Sequence, residues 1–196
     1  MSPHPVQLHV DKQLHVPRIQ VAIRLVMVVA LGLIGWSSVY WLIYLQIPAV
    51  VALVVLNKGT AHYVDRTAPG LVRALRWLAV AYAYLCFLTD VLPTADGSPI
   101  DLRIETTSRP TPKSALLRIL TSLPALLMVA VLAAVASVVW IVIAAYALVT
   151  ERLPPALPDF MILVLRVKFR LAAYHLSLVD RYPSPAAEQL APAHAV

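Results

Sequence analysis

Two stretches of 32 residues without a single charge, Leu25 to Leu56 and Ile119 to Thr150, constrain this chain more than anything else in it. The core of a cleaved signal is only about 7–15 residues, so the first stretch reads as an uncleaved anchor, despite its basic flank of Lys12, Arg18 and Arg24. As straight helix each stretch would be about 48 Å long, against about 30 Å of bilayer hydrocarbon. Each can therefore tilt, kink or run into the headgroup layer. Pro48 is expected to kink the first, while Pro124 sits early in the second, where a missing N–H costs least. The bulk composition agrees: 60% of the 196 residues are apolar and 13% charged. Soluble domains carry about 45–50% and 25%. A disordered chain, a coiled coil and an ordinary soluble enzyme are excluded. The expected fold class is an all-α integral membrane protein with two spans and up to four.

A shorter segment follows each stretch. Pro69 to Leu92 carries Arg73 and Arg76 near its start, and Pro158 to Tyr182 carries Arg166, Lys168 and Arg170 in its middle. Their uncharged cores, Trp77 to Thr89 and Leu171 to Val179, are too short to span alone, so these read as amphipathic or transmembrane second helices. Between the halves, Thr94 to Lys113 is polar and turn-rich, with Asp96-Gly97, Pro99, Pro110 and Pro112. Within it Ile100 to Glu105 alternates strictly, a strand signal, and Val6 to Asp11 does the same. Ser184 to Val196, rich in Ala and Pro, is expected to be a disordered tail.

These parallels are specific. At an offset of 90, Leu75, Arg76, Ala83, Tyr84, Leu88, Asp90 and Pro93 fall on Leu165, Arg166, Ala173, Tyr174, Leu178, Asp180 and Pro183. At an offset of 94, Pro5, Leu8 and Arg24 fall on Pro99, Leu102 and Arg118, and both uncharged stretches start and end in step. Two units are expected, 5–93 and 99–183. The first comprises strand 6–11, transmembrane helix 19–56 and second helix 69–92. A linker over 94–113 contains strand 100–105, and the second unit continues with transmembrane helix 115–150 and second helix 158–182. Internal repeats are common in membrane proteins, although duplication alone does not imply transport.

The second unit carries Leu165-Arg166, Ala173-Tyr174 and Val179-Asp180-Arg181-Tyr182-Pro183. On these residues the chain resembles the bacterial membrane-protein family called domain of unknown function 4389, here in two tandem copies. The units of that family carry a strand, an apolar helix, a basic aromatic helix and a terminal Asp-x-Tyr-Pro. The first copy departs from the pattern, with Val91-Leu92-Pro93 in place of Arg-Tyr-Pro. The second has Glu151-Arg152-Leu153-Pro154 where a loop glycine is usual. The resemblance implies architecture and no activity.

Two arrangements suit such a chain. In a hairpin arrangement each second helix returns across the bilayer, and both strands and both Asp-x-x-Pro ends share one face. In a flat arrangement the second helices lie in the interface, the copies are inverted, and the strands sit on opposite sides. Counting Lys and Arg favours hairpins with a cytoplasmic N-terminus in the cell membrane. Arg166, Lys168 and Arg170 then lie at membrane depth, where each costs at least about 2.5–3.5 kcal/mol unless paired.

The candidate site residues are Arg76, Tyr84, Asp90, Arg166, Arg170, Tyr174 and Asp180, which would contact anionic headgroups or a protein partner. Against that stands a structural role: in a hairpin the Asp end of each second helix lies near the Arg that opens the first. Arg24 with Asp90, and Arg118 with Asp180, would then pin each copy shut. That pairing predicts that Asp180→Arg lowers folded yield and that adding Arg118→Asp restores it.

No catalytic or metal centre is expected. The six histidines show no i, i+4 pair, and Cys86 is the single cysteine. No nucleophile elbow or phosphate-binding loop occurs among the five glycines. The excess of 16 Lys and Arg over 10 Asp and Glu is scattered singly, which points to anionic lipid rather than nucleic acid. Gly32-x-x-Gly35 with Ser37 and Ser38, and Ala133, Ala134, Ala136 and Ser137, offer small faces at which the long helices are expected to cross or dimerise. Trp36, Tyr40, Trp41 and Tyr44 cluster beside the first. The expected function is a non-enzymatic membrane protein without cofactor, an accessory subunit or lipid-contacting scaffold with a protein partner or homo-oligomer. The alternative is a small transporter or channel subunit with its pathway between the copies.

Overall fold

The structure, a computed structural model, describes residues 4–10, 15–33, 36–91, 100–154 and 156–183, without the side chains of residues 32–45. It is mostly helical, with one small sheet. Strand β1 (Val6–Val10) leads to α1 (Arg18–Leu33) and α2 (Trp36–His62); a π-helical turn (Tyr63–Thr67) joins α2 to α3 (Ala68–Leu85). Strand β2 (Ile100–Ile104) leads to α4 (Pro112–Thr121), α5 (Leu123–Thr150) and α6 (Ala156–His175).

The strands pair antiparallel, with Leu8 opposite Leu102 at the centre of the ladder. Alternation sorts the side chains as it must. Val6, Leu8, Val10, Ile100 and Leu102 face the core, and Gln7, His9, Asp101 and Arg103 face outward. The inner face packs on α3 and α6.

The second apolar stretch divides in two rather than forming the single helix expected over 115–150; the first is helical on both sides of residues 34–35, which lie outside the described residues. The first rod comprises α1 and α2 and runs on to His62, with a break at Gly59 (φ 84) that a non-glycine residue would resist. The second starts at Pro112, behind a capping box in which Thr111 and Ser114 bond reciprocally. It divides at Ser122, just before Pro124. The second helices end at Leu85 and His175, short of the expected 92 and 182. Phe87 (φ 62) and Ser177 (φ 55) take left-handed conformations that close the two ends alike. Leu88 N–H donates to Ala83 O and Leu178 N–H to Ala173 O, both at 2.9 Å, the 6→1 bond of a Schellman cap. Neither residue is glycine, so sequence offered no stop signal there. The expected disordered tail and the start of the linker, residues 184–196 and 92–99, lie outside the described residues.

The relative direction of the rods matches neither expected arrangement. Arg18, at the start of α1, bonds Val149 O at the end of α5. Thr60, near the end of α2, bonds Pro110 O just before α4. The rods therefore run antiparallel, as in the flat arrangement, yet the strands pair with each other, as in the hairpin. Strand pairing supplies the reason. Each strand leads through a short connection into its own rod, so antiparallel strands launch rods in opposite directions.

Each second helix folds back along its own half. Leu163, Val167 and Leu171 of α6 pack against Leu132, Val129 and Ala125 of α5. The end of α3 reaches α1, where the Tyr84 hydroxyl donates to Gln20 Oε1 at 3.0 Å. In α5 the buried positions Ala125, Val129, Ala136, Ile143 and Ala147 form one narrow stripe. Most of the rest of that helix is apolar and exposed.

Candidate functional site

The charged residues singled out from sequence gather in two clasps and two edge contacts. Arg24 is fully buried. Its Nη2 donates to Thr89 O at 2.8 Å and pairs with Asp90 Oδ1. Its guanidinium lies 4.4 Å from the Tyr84 ring centre and 5.0 Å from that of Phe87. Burying a cation costs several kcal/mol. A carboxylate, a carbonyl and two ring faces offset that cost here.

Arg118 repeats the arrangement at the other end of the molecule. Nη1 donates to Tyr174 O at 2.8 Å and Val179 O at 2.7 Å, and Nη2 to Ser108 Oγ at 3.1 Å. It pairs with Asp180 Oδ1, and its guanidinium lies 4.7 Å from the Tyr174 ring centre. The Tyr174 hydroxyl shares a 2.9 Å hydrogen bond with Thr121 Oγ1. The burial is lopsided: the Arg118 side chain is 7% exposed and that of Asp180 64%. The arginine holds backbone carbonyls at a helix end as firmly as it holds the acid. The charge reversal expected to restore yield is therefore corrected, because Asp at 118 would face the carbonyls of Tyr174 and Val179.

Arg76 and Arg166 do not join these clasps. Each reaches the sheet, Arg76 Nε donating to Leu102 O at 3.0 Å and Arg166 Nε to Leu8 O at 3.2 Å. Both carbonyls point away from the partner strand, and these guanidiniums cap them there. Arg170, expected to contact a headgroup or a partner, is 2% exposed inside the core. Lys168 lies 3.6 Å over the Tyr82 ring centre.

Further residues complete the geometry without having been singled out as site residues. Ser108 bridges Arg118 and Asp180. Trp140 Nε1 donates to Leu85 O at 2.7 Å, and its ring lies against Phe87. Arg18 meets Glu151 at 3.2 Å. None of these belongs to the shared pattern of the halves, so no spacing rule points to them. His175 is buried at the end of α6; burial first, and then the nearby Arg118 charge, push its pKa down to about 4. Among the described residues no three His, Cys, Asp or Glu side chains converge as metal ligands would. Ala136 of the small face is buried, but Ser137 Oγ bonds its own helix at Ala133 O. Its expected partners, Gly32, Gly35, Ser37 and Ser38, lie outside the described side chains.

Between α3 and β2 a cleft of about 580 Å³ opens, lined by Arg73, Arg76, Trp77, Asp101 and Arg103 among others. Three guanidiniums against one carboxylate give it a positive field, and Arg103 partly spends its charge on Asp101 at 2.6 Å.

The model of the family described as domain of unknown function DUF4389 matches residues 112–187, in one copy. This is the half that holds the Arg118 clasp and α6. No curated protein and no solved structure matches the chain.

Proposed function

We propose that this chain is a non-catalytic protein of the cell membrane, two copies of one unit, acting as a structural or accessory subunit or lipid-contacting scaffold. The observation that carries the reading is the outer surface of the rods. Ile19, Val26, Leu56, Leu127, Val138 and Val149 are each more than half exposed, on helices otherwise poor in charge. Two helical segments, Gln46–Leu85 and Leu123–Thr150, are long and apolar enough to cross a membrane. Only 11% of the apolar window in the second is buried by protein. An exposed apolar surface of that extent is intolerable in water and ordinary against acyl chains.

The recurrence of contacts supports the two-copy reading. Arg24–Asp90 and Arg118–Asp180, Arg76–Leu102 and Arg166–Leu8, and Phe87 and Ser177 are related by the same offsets of 94 and 90 that align the sequence. The α3–β2 cleft suits an anionic headgroup, and the polar outer face of the sheet suits a protein partner.

Carbonate extraction and flotation test the membrane reading; the chain should stay with lipid, and release into the soluble fraction would overturn it. A pull-down in mild detergent tests the accessory role, which calls for a stoichiometric partner. Flux through liposomes containing the purified protein alone would favour a pathway instead.

A further inference from the structure

We infer that the chain lies in the plane of one face of the membrane, with its rods at the headgroup–acyl boundary and its sheet in water. This rests on the membrane reading and replaces the expected crossings. The decisive feature is where the sheet sits along the rods. Arg166, which holds Leu8, lies between Leu163 and Val167, and these pack on Leu132 and Val129. Those positions are the middle of the rod that runs from Pro112 to Thr150. The sheet is thus carried at mid-length, over α3 and α6.

Upright rods would place the sheet at mid-bilayer. Exposed Gln7, His9, Asp101 and Arg103 would then sit in hydrocarbon. Each charge is strongly disfavoured there. Laid flat, the same molecule sorts cleanly into layers: exposed apolar rods, then α3 and α6, then a sheet whose outer face is Gln7, His9, Asp101 and Arg103. In an ordinary interfacial helix one face is polar and meets water. Here α6 covers that face of α5. The α5 helix alone is about 42 Å long, well beyond a hydrocarbon thickness, which is no obstacle in the plane. An anionic leaflet suits a chain of net charge +6.

The test uses full-length protein in a Cys86→Ser background, in right-side-out and inverted membrane vesicles. Single cysteines replace Lys58 and Arg152, at opposite ends of the molecule, and Arg103 on the sheet. A membrane-impermeant maleimide should label all three from the same side. Fluorophores at Leu127, Val138 and Val149 should be quenched at one common depth by lipids brominated along their chains. Labelling of Lys58→Cys and Arg152→Cys from opposite sides, or a graded depth with Val138 deepest, would overturn the inference and leave the membrane reading intact. Carbonate release of the protein would remove both. A soluble dimer in which those three probes are shielded would instead assign the apolar face to a second copy.

Discussion

Leu8 and Leu102 face each other at the centre of the ladder, and each gives its carbonyl to an arginine from a helix of the other half. Arg76 follows the first strand in the chain yet holds the second, and Arg166 does the reverse. The halves are thereby interlocked through a five-residue ladder that could not stand alone in water.

This interlock predicts coupling. Arg76→Leu and Arg166→Leu should each cost about 1.5–3 kcal/mol, the range for a hydrogen bond made by a charged group. Both loosen the same ladder, so the double variant should cost less than the sum. Thermal unfolding in mild detergent, with hydrogen exchange at Gln7 and Arg103, which pair across the ladder, reads this; strict additivity would show that the two contacts act separately.

The Arg118 clasp should be lopsided in energy as it is in burial. Arg118→Leu leaves the carbonyls of Tyr174 and Val179 without their donor, and about 3–5 kcal/mol should be lost, at about 1.5–3 kcal/mol for each hydrogen bond made by a charged group. Asp180→Asn, at an exposed side chain, should cost about 1 kcal/mol or less. Equal losses in a stability titration would refute the asymmetry.

Left-handed positions offer opposite outcomes for one substitution. Glu151 (φ 56) ends α5 and is partly exposed, and glycine relieves a strain of about 1 kcal/mol there. Glu151→Gly should therefore leave stability unchanged or raise it, because the exposed Arg18 pair it forfeits is worth little. Phe87→Gly removes a fully buried ring that touches Arg24 and Trp140 and should lose about 3 kcal/mol or more. Melting temperatures that shifted in the same direction by similar amounts would contradict this.

Acid should destabilise the fold through His175. Its folded pKa, about 4, lies below the ordinary 6.5, so between these values the unfolded chain binds the proton more readily. Stability is full above pH 6.5 and falls as pH drops toward 4. His175→Gln should flatten that slope, which a series of unfolding curves across the window would reveal.

Much of the site was legible because its residue types are scarce in apolar helices. Arg24, Asp90, Arg118 and Asp180 stand out at matched offsets, and a chain that folds back on itself has few other places to put them. Ser108 was not legible, since a serine in a polar connection carries no pattern. Nor were the stops at Phe87 and Ser177, where tertiary packing holds non-glycine residues in a conformation that local propensity disfavours.

By itself the sequence determined the two oily rods, the alternating strands and the recurrence between the halves, because each is a matter of local composition and period. The direction of one rod against the other, and the exchange of Arg76 and Arg166 across the ladder, were decided only by tertiary structure. Antiparallel pairing is a contact between segments 94 residues apart. Once Leu8 meets Leu102 it sends the chain away at opposite ends, and no local preference records that outcome.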